Sequence, residues 1–158
     1  MGPNRRRPSV FLIDGYNLLH SFARAKTGDE ARNGLIALIQ GWCERGGYRA
    51  KIVFDPTGGM KRNEVRGAIE IRNVPQGVTA DEEILDALDA TDDRTRYTVV
   101  SNDAALVRAA EKKGFPVVRC EEFARTLAAR PEGPEKDGRA SPGEVDYWMK
   151  EFGLEDEP

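Results

Sequence analysis

Histidine is nearly absent: the chain of 158 residues carries one, His20. Cysteine is scarce too. Cys43 and Cys120 lie far apart with no CxxC pair, which argues against a zinc site and against a disulfide framework. No stretch approaches the roughly 20 apolar residues of a membrane helix. The short apolar run Val10–Ile13 follows Arg5–Arg7 but stops at Asp14, so it is no signal-peptide core. Gly58-Gly59 belongs to no GxxxxGK[ST] motif, and no Rossmann fingerprint occurs. At 39% hydrophobic and 32% charged, the chain is too apolar for disorder and large enough to bury a core. The expectation is one soluble, cytoplasmic domain with no membrane association. The sequence leaves its oligomeric state open.

Net charge is −3, but it is unevenly distributed. Residues 1–80 carry net +6, residues 81–120 net −3 and residues 121–158 net −6. A basic first half can face a polyanion although the whole chain is acidic.

Short apolar runs alternate with longer amphipathic ones. Ser9–Ile13, Lys51–Phe54, Ala68–Val74, Tyr97–Val100 and Phe115–Arg119 read as strands. Asp29 reads as the cap of a helix over Glu30–Arg45, and Gly46-Gly47 as its stop. Thr79 reads as the N-cap of a helix buried through Ile84, Leu85 and Leu88. Further helices are expected up to Lys113 and over Glu121–Arg130. Asp14-Gly15-Tyr16-Asn17 reads as a polar turn, with Gly15 supplying backbone freedom. The Gly-rich, basic stretch Pro56–Gly67 reads as a loop. Residues 131–143 read as a linker, and 144–152 as a short helix bearing Val145, Trp148, Met149 and Phe152 that packs on the domain or a partner. Alternating strands and helices predict an α/β sandwich with a mainly parallel sheet, and in such folds ligands bind beyond the carboxyl ends of the strands.

The carboxylates fall at that edge. Asp14 and Asp55 end strands, Asp103 follows Ser101 just past another, and Asp81 sits in the first turn after Thr79. Each has a second explanation: Asp is common at turns and caps, and Asp103 alone reads more naturally as a helix cap. Gathered at one edge, the four repel unless a proton or a cation intervenes. Mg²⁺ takes one or two carboxylates and keeps several waters, so the set suggests Mg²⁺ or Mn²⁺ beside a phosphate.

Phe11-Leu12-Ile13-Asp14-Gly15-Tyr16-Asn17, followed by Val53-Phe54-Asp55, Thr79-Ala80-Asp81-Glu82 and Val100-Ser101-Asn102-Asp103, resembles the NYN domains. In order and spacing the motifs are similar to the YacP-like group of the PIN-like ribonuclease superfamily. The resemblance covers about residues 9–130. It implies a PIN-like three-layer α/β/α sandwich and metal-dependent endoribonuclease activity. It also implies that Asp14, Asp81 and Asp103 bind the metal, with Asp55 a ligand or a supporting acid. Asn17 matches the motif asparagine, Ser101 the small hydroxyl residue, and Glu82 a motif position without an evident role.

The expected reaction is hydrolysis of an RNA phosphodiester, with Asp14, Asn17, Asp55, Asp81 and Asp103 as the catalytic set. Asn17 and Ser101 would hold carboxylates or phosphate oxygens. Lys61, Arg62 and Arg66, with Arg72 on the next strand, read either as a track for an RNA backbone or as a mobile, solvated loop. Tyr16 could stack a base or lie buried, and a lone His20 reads as a structural or surface residue rather than a catalytic one. The RNA could be mRNA, rRNA or tRNA, with the ribosome as a candidate partner. A HAD-type phosphatase lacks its DxD here, since Gly15-Tyr16 follows Asp14. The rival reading is a non-catalytic RNA-binding or ribosome-associated adaptor of the same fold.

Overall fold

The computed structural model describes residues 9–22, 28–56 and 62–129. Arg5–Arg7, Lys61, the 131–143 linker and the 144–152 helix fall outside them.

Five of the strands are short and rich in β-branched or aromatic residues, as buried strands of a parallel sheet are. They are β1 (Val10–Asp14), β2 (Arg49–Phe54), β4 (Ile69–Asn73), β5 (Tyr97–Val100) and β6 (Val117–Val118). A sixth, β3 (Glu64–Arg66), completes the sheet in the order β3-β4-β2-β1-β5-β6. Every pairing is parallel except β3 with β4.

Successive side chains on a strand face opposite layers, and the two cores follow that alternation. Ile13, Ile52 and Val100 join the core beneath α1 (Gly15–Leu19), α2 (Gly28–Gly46) and α5 (Cys120–Ala128). Leu12, Val53 and Val99 join the core beneath α3 (Ala80–Asp89) and α4 (Ala104–Lys112). The expected three-layer α/β/α sandwich with a mainly parallel sheet is therefore the observed one.

Two elements differ from expectation. β3 lies in the stretch read as loop. It has three charged or exposed residues and no alternating apolar face, and it exists because the turn at Gly67, at φ +57°, folds it back on β4. The turn after β1 is instead helix α1, whose buried Leu18 and Leu19 hold it against the core. The other differences lie at element ends. Asp29 sits inside the first turn of α2 rather than capping it, where its charge still favours the helix's positive end. Phe115 belongs to the stop of α4, not to β6: its N–H reaches the carbonyl of Ala110 past Gly114, at φ +93°.

Candidate active site

The parallel register brings the acids together. Asp14 ends β1 opposite Val53 of β2, and Ile13 lies opposite Val100 of β5. Asp55 and Ser101 thus emerge beside Asp14 at the carboxyl edge of the sheet. There an open cleft of about 710 Å³ is lined by Asp14, Tyr16, Asn17, Asp55, Asp81 and Asp103.

Each acid is placed by its backbone surroundings. Asp55 Oδ1 accepts the Ala80 N–H at 2.7 Å, which ties the end of β2 to the start of α3. Asp81 follows in the first turn of α3. Thr79 Oγ1 accepts the Glu82 N–H at 3.1 Å, and Glu82 Oε1 accepts the Thr79 N–H at 3.2 Å. That reciprocal capping box gives Glu82 its role: it fixes the helix end that carries Asp81. Thr79→Ala is expected to lower stability by about 1 kcal/mol, read as a lower urea midpoint; an unchanged midpoint would show that the box contributes nothing. Asp103 is the N-cap of α4, as its position alone suggested. Its Oδ1 accepts from Ala105 N and Leu106 N at 2.9 and 3.1 Å. The cap does not take it out of the cluster, because Asp103 lines the cleft with Asp81 and its charge is close enough to raise it.

Crowding shifts the protons. Burial, then the charges of Asp81 and Asp55, push Asp14 up to about 7, while the Ser101 hydroxyl and the Asn17 N–H pull the other way. Asp81 is raised to about 6 by burial and then by Asp103, with smaller contributions from Asp55 and Glu82. Among the described residues no three His, Cys, Asp or Glu side chains already form a metal cage. The donor set nonetheless fits a hard cation that needs few protein ligands: all four acids on the cleft offer oxygen, and two of them are raised by a crowding that a cation would relieve.

The polar residues around the acids are fixed by long-range contacts. Ser101 is fully buried among the acids. Its Oγ accepts the Asp103 N–H at 3.0 Å and lies 3.4 Å from Asp14 Oδ2. Asn17 Oδ1 accepts the Asn102 N–H at 2.7 Å and faces the Cys120 thiol at 3.2 Å. The thiol is the donor there, since burial foremost pushes Cys120 up to about 12. With the oxygen so engaged, the Nδ2 amide of Asn17 remains for the cleft. Asn102 in turn accepts the Cys120 N–H and donates to Glu121.

The expected basic residues stand apart from this cluster. Arg62 and Arg66 do not line the cleft. Arg66 pairs with Glu64 at 2.6 Å, and Arg72 pairs with Glu83 at 3.0 Å. Tyr16 is half-buried: it packs on Phe54, ring centroids 4.8 Å apart, and also lines the cleft. His20, read as a structural or surface residue, is exposed and also lines the cleft, one turn beyond Tyr16. Sequence reading did not single out Asn102 or Cys120; only a spacing of 85 and 103 residues to Asn17 separates them, and nothing local marks it.

A mainly parallel α/β/α sandwich that delivers acids from β1, β2, α3 and the end of β5 to one edge is the PIN-like fold, the architecture of a nuclease superfamily. The chain belongs to the YacP-like NYN domain family, whose sequence model matches residues 11–150. It is similar to the crystal structure of Rae1 (YacP) from Bacillus subtilis, with a TM-score of 0.65 and 24% identity over 75% of this chain and 73% of that one. A point mutant of that protein gives a TM-score of 0.63 at 24% identity, over 75% and 74% of the two chains. Among curated proteins none matches the chain. NYN and PIN-like nucleases generally use divalent metals, and membership implies an RNA substrate. No helix among the described residues is long and apolar enough to cross a membrane.

Proposed function

We propose that this protein is a metal-dependent endoribonuclease that hydrolyses RNA phosphodiester bonds in the cleft at the carboxyl edge of its sheet. The observation that carries the reading is the crowding of Asp14, Asp55, Asp81 and Asp103, which holds protons on Asp14 and Asp81 well above the usual carboxylate range. Uncompensated negative charge is a poor surface for RNA alone, which weighs against a non-catalytic adaptor.

Asp14, Asp81 and Asp103 would hold Mg²⁺ or Mn²⁺, which supplies charge neutralisation and a more acidic attacking water. The other residues position and bind. Asp55 ties β2 to α3 through the Ala80 N–H and so sets where Asp81 stands. Ser101 fixes Asp14 relative to Asp103. Asn17 donates from Nδ2 to a phosphate oxygen, because its carbonyl oxygen is already engaged. Arg62, Arg66 and Lys61 would meet RNA outside the cleft itself. The substrate could be mRNA, rRNA or tRNA, presented free or on the ribosome in the cytoplasm. The domain of residues 9–130 would carry the chemistry and 131–158 the docking.

The test is cleavage of mixed single-stranded and structured RNAs with Mn²⁺, with Mg²⁺ and with EDTA. Cutting that requires the metal and disappears in Asp81→Asn protein is expected. A folded wild type that neither cuts nor binds metal would overturn the reading in favour of the adaptor.

A further inference from the structure

Arg32 has no part in the chemistry above, and its surroundings are unusual for a cation. It lies on α2, only 8% exposed, yet among the described residues it makes no ion pair. Its Nη2 donates to Asn73 Oδ1 at 2.8 Å, and its Cζ lies 4.5 Å over the Phe54 ring. Its Nε is buried with no hydrogen-bond partner among the described residues. Glu64 is held low chiefly by its own hydrogen bond to Arg66, with Arg32 the smallest contributor. A buried guanidinium with one neutral partner is costly unless something anionic completes it.

Its position indicates what that anion is. Phe54 is the last residue of β2, directly before Asp55, and pairs in register with Asn73, the last residue of β4. The guanidinium therefore sits at the same carboxyl edge as the acids, displaced toward β4. Asn73 is itself fixed, donating from its backbone N–H to Asn63 Oδ1 and from Nδ2 to the Arg62 carbonyl. The neighbouring cations Arg66 and Arg72 already have carboxylate partners. A flat guanidinium held by an aromatic face and an amide is pre-organised to grip a phosphate.

We infer that Arg32, which lies outside the lining of the acidic cleft, forms a phosphate subsite at the β2–β4 side of the same sheet edge, taking a backbone phosphate of RNA away from the one that is cut. The inference rests on the nuclease reading for its ligand. It adds the cationic contact that an acidic cleft needs to retain a polyanion.

The experiment is binding of a short, labelled single-stranded RNA to the full chain in EDTA, across about 50 to about 200 mM salt. Removing one phosphate contact reduces the slope of log affinity against log salt by about 0.7 for single strands. Arg32→Met and Arg32→Gln are both expected to show that reduction, with roughly tenfold weaker binding at the lower salt and a thermal midpoint no lower than wild type. Arg32→Lys, which keeps the charge, is expected to restore the slope and part of the affinity. Folded Met and Gln variants with the wild-type slope overturn the subsite and leave the nuclease reading standing. If both variants unfold, Arg32 is a structural residue and the subsite falls. A wild type that binds no RNA overturns the subsite and the RNA reading together, whereas cleavage with added metal tests the nuclease reading separately.

Discussion

Asp14→Asn is expected to stabilise the cation-free protein at pH 8 while lowering RNA cleavage at least about a hundredfold, the scale for losing one electrostatic contact in a transition state. The two effects have one cause. Asp14 is 6% exposed and faces Asp81 and Asp55, so its ionised form is disfavoured in the fold. In the unfolded chain the same carboxyl ionises near 3.8, in the fold near 7. Its folded value is raised, so as pH climbs from about 4 to about 7 the unfolded chain releases the proton first and stability drains away. Above about 7 the penalty is complete. The shift sets a ceiling of roughly 4 kcal/mol, and water in the open cleft brings the working figure to about 2 kcal/mol. Asparagine keeps the shape and can still accept from the Ser101 hydroxyl, but carries no charge.

The thermal midpoint of the variant should therefore exceed that of wild type by several degrees at pH 8. The gap should open between about pH 4 and pH 7 and then stay constant. Millimolar Mn²⁺ should raise the wild type and close the gap, because a ligand that binds only the folded state stabilises it. A variant that melts below wild type at pH 8 would show that Asp14 is held by partners rather than strained by neighbours.

How much of this was legible in the sequence depended on distance along the chain. Apolar runs that stop at Asp14, Asp55 and Ser101 announced the sheet edge, because a buried parallel strand must shed its hydrophobicity where it meets solvent. Thr79 was legible as a cap, and the Thr79-x-x-Glu82 spacing contained the capping box, although its partner role shows only in the paired hydrogen bonds. Helix α1 and strand β3 were not legible, since elements of five and three residues owe their existence to packing and to a hairpin rather than to periodicity. The least legible contacts are those that aim side chains. Arg32 meets Asn73 across 41 residues, and Cys120 meets Asn17 across 103. No local pattern encodes such pairs; the crossovers of the sheet create them.

Gly15 shows the same point with the largest expected loss of stability. In the sequence it reads as freedom for a turn, but the structure does not place it at positive φ. What it provides is room. A Cβ at this position would lie 2.5 Å from Phe54 Cε1 and 2.6 Å from Cδ1. The ring has little space to yield: it is fully buried, with Tyr16 against it and the Arg32 guanidinium over it. Gly15→Ala must therefore lift α1 from the sheet or push Phe54 into the core. Overpacking of this kind costs about 1–3 kcal/mol, and the upper half of that range is expected where both sides are pinned. Because α1 directly follows Asp14 and carries Asn17, the same displacement should lower cleavage by at least about tenfold, the scale of a small misplacement of reacting groups. Urea unfolding checks the first effect, as a lower midpoint at unchanged slope. Phe54→Leu in the Gly15→Ala background checks the cause. The smaller side chain should make the double variant more stable than the sum of the two single losses predicts, the coupling expected of residues in contact. Strictly additive losses would mean that Gly15 is required for something other than the approach of Phe54.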